Sequence, residues 1–194
     1  MRMASSPQHR LHVLRKCLAL FPPDGQDALC IHQLMADLSL CDNPWQAALS
    51  ARQLIRLAPN NDQSWATYAL ALSLMSHHRS AIKAYRQAVS LDPTNPWYAH
   101  DLGYLLDVHL NKPEEALRFL EMAHRAQPWE LEFATSYAHA LHRLGHISQA
   151  RRVMQTLVSC SGTTPVSALP DAKYNAKYNA TVERRERNAT RYRD

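Results

Sequence analysis

The stretch between residues 62 and 95 decides the fold, and it reads DQSWATYALALSLMSHHRSAIKAYRQAVSLDPTN. Apolar residues in each half recur at intervals of three and four, which is the spacing of one face of an α-helix. The polar run Ser76-His77-His78 separates the halves and has the composition of a turn. The stretch therefore predicts two helices joined by a short turn. The apolar positions are Trp65-x2-Tyr68-Ala69-x2-Leu72 and Ala81-x3-Tyr85-x2-Ala88, and Pro93 closes the stretch.

This helix pair is one of four repeated units, because small or apolar residues recur along the chain at spacings of 34 or 35. Such units stack, since no single unit can bury its apolar face alone. The first-helix columns are Ile31, Trp65, Ala99 and Ala134; Leu34, Tyr68, Leu102 and Tyr137; Met35, Ala69, Gly103 and Ala138; and Leu38, Leu72, Leu106 and Leu141. The second-helix columns are Ala47, Ala81, Ala116 and Ala150; Ala51, Tyr85, Leu120 and Met154; and Leu54, Ala88, Ala123 and Leu157.

The two sets of columns locate one inserted residue. Spacings in the first helices run 34, 34 and 35, whereas those in the second helices run 34, 35 and 34. The extra residue therefore lies after Leu106 and before Ala116, in the stretch that ends with Asn111-Lys112-Pro113. Because loops tolerate insertions, we expect it at the turn between the two helices.

The repeated residues closely resemble the tetratricopeptide repeat, and the resemblance covers about 137 of the 194 residues. The first unit departs from the family pattern, since Ile31 stands where the family prefers Trp. The resemblance implies an all-α fold, an α-solenoid of four two-helix repeats. We place the repeats at 28–61, 62–95, 96–130 and 131–164, which together form a domain over 28–164. An N-terminal helix and turn over 1–27 precede it, and a linker and basic tail over 165–194 follow.

Composition supports a helical chain and argues against several other classes. Glycine is scarce at 4 residues, whereas β-sandwiches, Rossmann sheets and phosphate-binding loops need it at tight turns. No apolar run reaches the ~18 residues of a membrane span. We therefore expect a soluble, cytoplasmic protein. The four cysteines form no CxxC pair, and we expect Cys30 and Cys41 to be small buried thiols.

The resemblance also implies where a partner binds, because in this family the concave groove is lined mainly by the first helix of each unit. Partners are usually peptides or other protein segments. Packing against the next helix is an alternative to the groove for both aromatic residues; for Trp97 packing is favoured, and for Tyr104 the two interpretations are balanced. The candidate set has no Lys or Asn, which argues against a carboxylate clamp of the chaperone-binding type. The groove candidates are Trp97, His100, Tyr104, Asp107, Thr135, His139, His142 and Arg143.

The sequence gives little support for catalysis or for metal binding. The sequence contains no nucleophile elbow, phosphate-binding loop or HExxH motif. His139 and His142 lie three residues apart, but no cysteine or carboxylate stands beside them at ligand spacing. We expect no enzyme activity and no cofactor.

The end of the chain is basic, with 7 Lys/Arg against 4 Asp/Glu from Asp171 onward. One interpretation is a helix that caps the exposed apolar edge of the last repeat, and another is a disordered arm. A third is nucleic-acid binding through phosphate contacts and tyrosine stacking. The residues of that third interpretation are Lys173, Lys177, Arg184, Arg185, Arg187, Arg191 and Arg193.

The sequence thus predicts a non-catalytic adaptor or scaffold that captures a protein or peptide segment in the groove of a repeat stack. A nucleic-acid-associated factor that acts through its tail is the main alternative. A small secretion-type chaperone is a further one. The exposed ends of the stack also allow a homodimer.

Overall fold

The computed structural model describes residues 7–20, 25–40 and 42–160, and this part of the chain is entirely helical. A π-helical turn, Leu105–His109, directly extends the sixth helix. The nine α-helices are α1 (Pro7–Leu18), α2 (Gln26–Ser39), α3 (Pro44–Leu57), α4 (Asp62–Leu74), α5 (His78–Leu91), α6 (Pro96–Tyr104), α7 (Pro113–Ala126), α8 (Leu131–Arg143) and α9 (Ile147–Cys160).

Local sequence sets where these helices begin. The side chains of Asn43, Asn61 and Asn95 precede α3, α4 and α6, and each accepts a hydrogen bond from a backbone N–H of the first turn. Such caps satisfy amides that have no partner within the helix. Proline follows directly at Pro44 and Pro96, where its fixed φ suits the first helical position.

Consecutive helices pack as antiparallel hairpins, and small residues allow the close approach. Each helix packs mainly against the helices before and after it, and α2 and α6 also contact α4 and α8. Ala47, Ala81 and Ala116 of one repeat column are fully buried. Gly103 lies where a Cβ atom would stand 2.6 Å from Leu120 Cγ, so only glycine lets α6 approach α7 so closely. The predicted all-α solenoid of two-helix repeats is confirmed over the described residues.

The inserted residue is not in the turn, contrary to our expectation. The amides of Met75 and Leu144 bond the carbonyls four residues back, whereas the Leu110 amide bonds the Leu105 carbonyl five residues back, at 3.1 Å. The extra residue therefore lies inside the π-helical turn. The turns that follow keep one geometry, because Ser76, Asn111 and Gly145 all have a left-handed φ. An internal π-turn widens the helix and leaves the connecting turn unchanged.

The structure also describes one of the two cysteines that were predicted to be buried, and it tests whether any described helix could cross a membrane. Cys30 is exposed rather than buried, because its neighbours Ala28 and Ile31 occupy the buried positions of this turn of α2. Cys41 lies outside the described residues. Of the helices that the structure describes, none has the length and apolar character needed to cross a membrane. The basic tail lies outside the described residues as well.

Candidate functional site

The third hairpin (α6, the π-helical turn and α7) and the fourth hairpin (α8 and α9) bring the predicted groove residues together on their first helices. Those of the third hairpin lie on α6 and the π-helical turn, and those of the fourth lie on α8. The exposed members are Tyr104, Thr135, His139, His142 and Arg143, and the buried ones are Trp97, His100 and Asp107.

Trp97 and His100 are core residues, which corrects the expectation that they line the groove. The Trp97 ring is 1% exposed and meets the Phe133 ring edge-on, with 4.5 Å between centroids. His100 also contacts Phe133, at 5.0 Å. The physical reason is that α8 crosses directly over this face of α6, so aromatic rings fill the interface. The packing interpretation of Trp97 was therefore the right one.

A buried polar chain links three helices through His100. Its Nε2 lies 3.0 Å from Ser136 Oγ, and its Nδ1 lies 3.2 Å from Asp101 Oδ1. The other Asp101 oxygen accepts a hydrogen bond of 2.8 Å from the Tyr85 hydroxyl. This chain satisfies the buried imidazole and carboxylate, which would otherwise be costly to bury. Sequence analysis missed Asp101 and Ser136, because the contact of Ser136 with His100 depends on how α8 packs against α6.

The order Ser136–His100–Asp101 is also that of a nucleophile, a base and an orienting carboxylate. A serine hydrolase additionally needs N–H donors aimed at the oxyanion of its intermediate. Ser136 lies in the interior of α8, where backbone amides are already bonded within the helix. The arrangement therefore orients the Ser136 hydroxyl without supplying an oxyanion hole.

A second buried network is centred on Asp107 in the π-helical turn. Its carboxylate is buried, and Oδ2 lies 2.7 Å from His139 Nδ1. Arg143 Nη1 donates to the Asp107 carbonyl at 2.7 Å and to its Oδ1 at 2.5 Å. Arg143 Nη2 donates to the side chain of Asn111. The guanidinium thus neutralises the carboxylate and holds the end of the π-helical turn against α8.

Between these two networks lies a cavity of about 290 Å³, which we call the α6–α8 pocket. Tyr104, Val108 and Leu120 supply its apolar surface. Tyr104 and Val108 are 38% and 46% exposed, whereas Leu120 is fully buried and forms the floor. The polar lining comes from Asp107, Thr135, Ser136 and His139. His142 is exposed on α8 but does not line the pocket.

Glu132 in the first turn of α8 is a partly buried carboxyl whose charge is unfavourable. Burial raises its pKa above the ordinary value of 4.5; nearby His100 opposes the shift, whereas Asp101 and Glu130 add to it. Its Oε2 is buried and receives no hydrogen bond from the described residues. The folded chain therefore binds this proton more tightly than the unfolded chain, so ionisation of Glu132 costs stability as the pH rises.

Glu132→Gln is accordingly expected to be more stable than wild type at neutral pH. The gain should stay below about 1 kcal/mol, because the carboxyl is only partly buried and solvent screens it. It should shrink as the pH falls, because the raised pKa lets Glu132 of the folded wild type take up its proton at a higher pH than an ordinary glutamate. Urea unfolding of both proteins between pH 4 and pH 8 measures the difference. A difference that is constant across the range, or that favours wild type at neutral pH, contradicts the expectation.

The described residues contain neither a group of metal ligands nor the basic tail residues. Within that part of the chain, no three histidines, cysteines or carboxylates are placed to hold one metal ion. The seven basic tail residues proposed for nucleic acid lie outside it: Lys173, Lys177, Arg184, Arg185, Arg187, Arg191 and Arg193.

A stack of two-helix units with a pocket between its first helices defines a helical-repeat protein. Residues 62–95 and 84–118 match two family models, each described as tetratricopeptide repeat. Residues 62–118 therefore carry tetratricopeptide repeats, as the sequence pattern predicts.

Comparisons with individual proteins agree on the fold. Over 106 residues, 55% of this chain, the protein is 31% identical to Protein FlbA of Caulobacter vibrioides, and it spans 17% of FlbA. A crystal structure of MamA superposes with a TM-score of 0.70 at 16% identity, covering 80% of this chain and 89% of MamA. YrrB, described as a TPR protein with an unusual peptide-binding site, superposes with a TM-score of 0.65 at 15% identity, covering 77% and 75%. At these identities the structural likenesses establish the fold alone.

Proposed function

We propose that the protein is a non-catalytic adaptor or scaffold that holds a segment of a partner protein against the first-helix face of its third and fourth hairpins. The α6–α8 pocket carries this proposal, since it places an exposed aromatic ring and an exposed imidazole beside an apolar floor. Aromatic side chains at such positions often dominate binding energy. The peptide-binding site named for YrrB, a protein with the same fold, is consistent with this role.

The non-catalytic part of the proposal rests on how the polar groups are used. The Asp107 carboxylate is occupied by His139 and Arg143, and Ser136 is bonded to His100 within a helix interior. These groups pair with one another between α6 and α8, and the backbone amides around Ser136 are already bonded within α8, so none is left to stabilise an oxyanion there.

The test is site-specific photocrosslinking in native lysate with the full chain. A benzoylphenylalanine replaces Val108 at the pocket in one protein and Lys83, exposed on α5, in a matched control. We expect a single partner protein from the lysate to be crosslinked strongly by the position 108 variant, within a short contiguous segment of that partner. The position 83 variant should crosslink the same partner only weakly. Equal crosslinking from both positions, or none from 108, contradicts the proposal.

Once that segment is known, Tyr104→Ala is expected to weaken its binding about 30-fold, the loss typical of an aromatic anchor. Fluorescence anisotropy with the synthetic segment measures it. Because Tyr104 is partly exposed and outside the repeat core, circular dichroism should show an unchanged helix content. Retention of wild-type affinity removes Tyr104 from the binding surface.

A further inference from the structure

We propose that the residue inserted in the π-helical turn builds the α6–α8 pocket, and that the pocket takes a neutral apolar side chain of an extended peptide whose adjacent backbone N–H donates to His139 Nε2. This inference rests on the proposed function and specifies the chemistry of the segment that is bound.

The register of the repeats shows what the insertion does. Asp107 directly follows Leu106 of a repeat column, and its counterparts in the neighbouring hairpins are Ser73 and His142. Ser73 is half-buried and His142 is exposed, but Asp107 is buried at 1% exposure. The wider π-helical turn therefore carries this position inward, beneath α8. Val108, the next residue, stays exposed at the mouth of the pocket.

Charge decides which side chain the pocket accepts. The buried Asp107 carboxylate is paired with the Arg143 guanidinium, so these two opposite charges cancel beside the pocket. The rest of the lining is the Tyr104 ring, Val108 and the Leu120 side chain, together with the His139 ring and two hydroxyls. Those hydroxyls are already hydrogen-bonded, Thr135 to the Leu131 carbonyl and Ser136 to His100. A charged side chain inserted there would lose water without gaining a partner, whereas an apolar one loses nothing. The volume of about 290 Å³ is at the lower end for ligand pockets and suits a side chain rather than a large cofactor.

The hydrogen-bonding state of His139 decides which peptide group lies beside the bound apolar side chain. An ionised carboxylate only accepts hydrogen bonds, so His139 Nδ1, 2.7 Å from Asp107 Oδ2, carries a proton. In the neutral imidazole Nε2 is then an acceptor. The His139 side chain is 55% exposed, so a bound segment can reach it. A backbone N–H is a donor that every extended segment carries, except at proline.

The experiment selects ligands for the full-length protein from a displayed library of random dodecapeptides. The strongest binder is then synthesised in two forms, one unmodified and one with an N-methyl group at the amide next to its apolar anchor. Binding of both forms is measured by fluorescence anisotropy to wild type, His139→Asn and His142→Asn. Asparagine keeps a donor near Asp107 but lacks Nε2. His142→Asn is the matched control, since this histidine is exposed on the same helix outside the pocket.

We expect the selected peptides to share one uncharged apolar residue. His139→Asn and N-methylation should each weaken binding about fivefold, as for loss of one hydrogen bond, and together cause no further loss. His142→Asn should bind like wild type. Deletion of Val108, which restores the 34-residue spacing, should abolish binding while circular dichroism shows retained helices.

Other outcomes overturn the inference in distinguishable ways. Failure to select any binding peptide removes the proposed function together with this inference. Peptides that bind wild type, His139→Asn and the Val108 deletion equally well leave the adaptor role intact and remove the pocket assignment. Selected peptides that share a charged residue instead of an apolar one also contradict the pocket assignment. An apparent affinity that falls as protein concentration rises, with dimers in sedimentation, shows that a second copy of the chain occupies the pocket instead of a peptide.

Discussion

Trp97→Ala is expected to lower the free energy of unfolding by about 3–5 kcal/mol, the usual cost of truncating a buried aromatic ring. The Trp97 ring is buried between α6 and α8 and meets Phe133 at 4.5 Å. Its removal leaves a cavity that rigid helices on both sides cannot close. Urea unfolding followed by far-ultraviolet circular dichroism measures the loss.

The position of Trp97 in the stack predicts a second signature. Stability in repeat proteins is approximately a sum of unit and nearest-neighbour interface terms, and Trp97 contributes to the interface of the third and fourth hairpins. In the variant, amides of α8 and α9 should therefore exchange with deuterium faster than amides of α4 and α5. Uniform acceleration along the chain would show that the stack unfolds as one unit.

Trp129→Ala is the matched control, because the same ring type is 51% exposed there. A surface truncation of this kind should change stability by no more than about 0.5 kcal/mol. Where Trp97→Ala fails to fold, Trp97→Phe leaves a smaller cavity and should cost about 1–3 kcal/mol. Equal midpoints for the Trp97 and Trp129 variants would contradict the role of Trp97 in the core.

Asp107→Ala is expected to cost about 2–3 kcal/mol, because it leaves Arg143 without its buried partner. The value is at the lower end for a broken buried ion pair, since the Arg143 side chain is 28% exposed and can turn toward water. Arg143→Ala should cost a similar amount, because it leaves the Asp107 carboxylate buried with only His139 as a partner among these contacts.

A double-mutant cycle isolates the interaction. The Asp107→Ala/Arg143→Ala protein should be more stable than the two single losses predict, by about 1–2 kcal/mol, since neither charge is left buried alone. Urea midpoints of the four proteins at one pH and salt concentration measure the coupling. Strictly additive losses would show that the ion pair does not hold the π-helical turn against α8.

Much of the fold is readable from the sequence because its determinants are local or periodic. The asparagine caps at Asn43, Asn61 and Asn95 act within one helical turn, and the small residues of the column that includes Ala81 and Ala116 recur at a fixed period. A periodic pattern of this kind predicts a stack of equivalent hairpins, because each unit buries its apolar face against its neighbours.

The candidate site was less predictable, because exposure at each position depends on how the next unit crosses. Trp97 and Tyr104 are both aromatic residues on α6 outside the repeat columns, yet Trp97 is buried and Tyr104 is 38% exposed. Phe133 of α8 packs against the Trp97 ring, and it lies more than thirty residues from Trp97 along the chain. The inserted residue was visible as a change of spacing, but spacing alone does not distinguish a longer turn from a wider helix.

The sequence by itself determined the helical-repeat pattern, the all-helical class and the interval that contains the inserted residue, because periodicity and capping are properties of the chain alone. Only the tertiary structure decided that the insertion forms a π-helical turn, that Asp107 turns inward to Arg143 and His139, and that a pocket opens beside them. The physical reason is that the groups that satisfy the buried Asp107 carboxylate, Arg143 and His139, come from α8, more than thirty residues further along the chain.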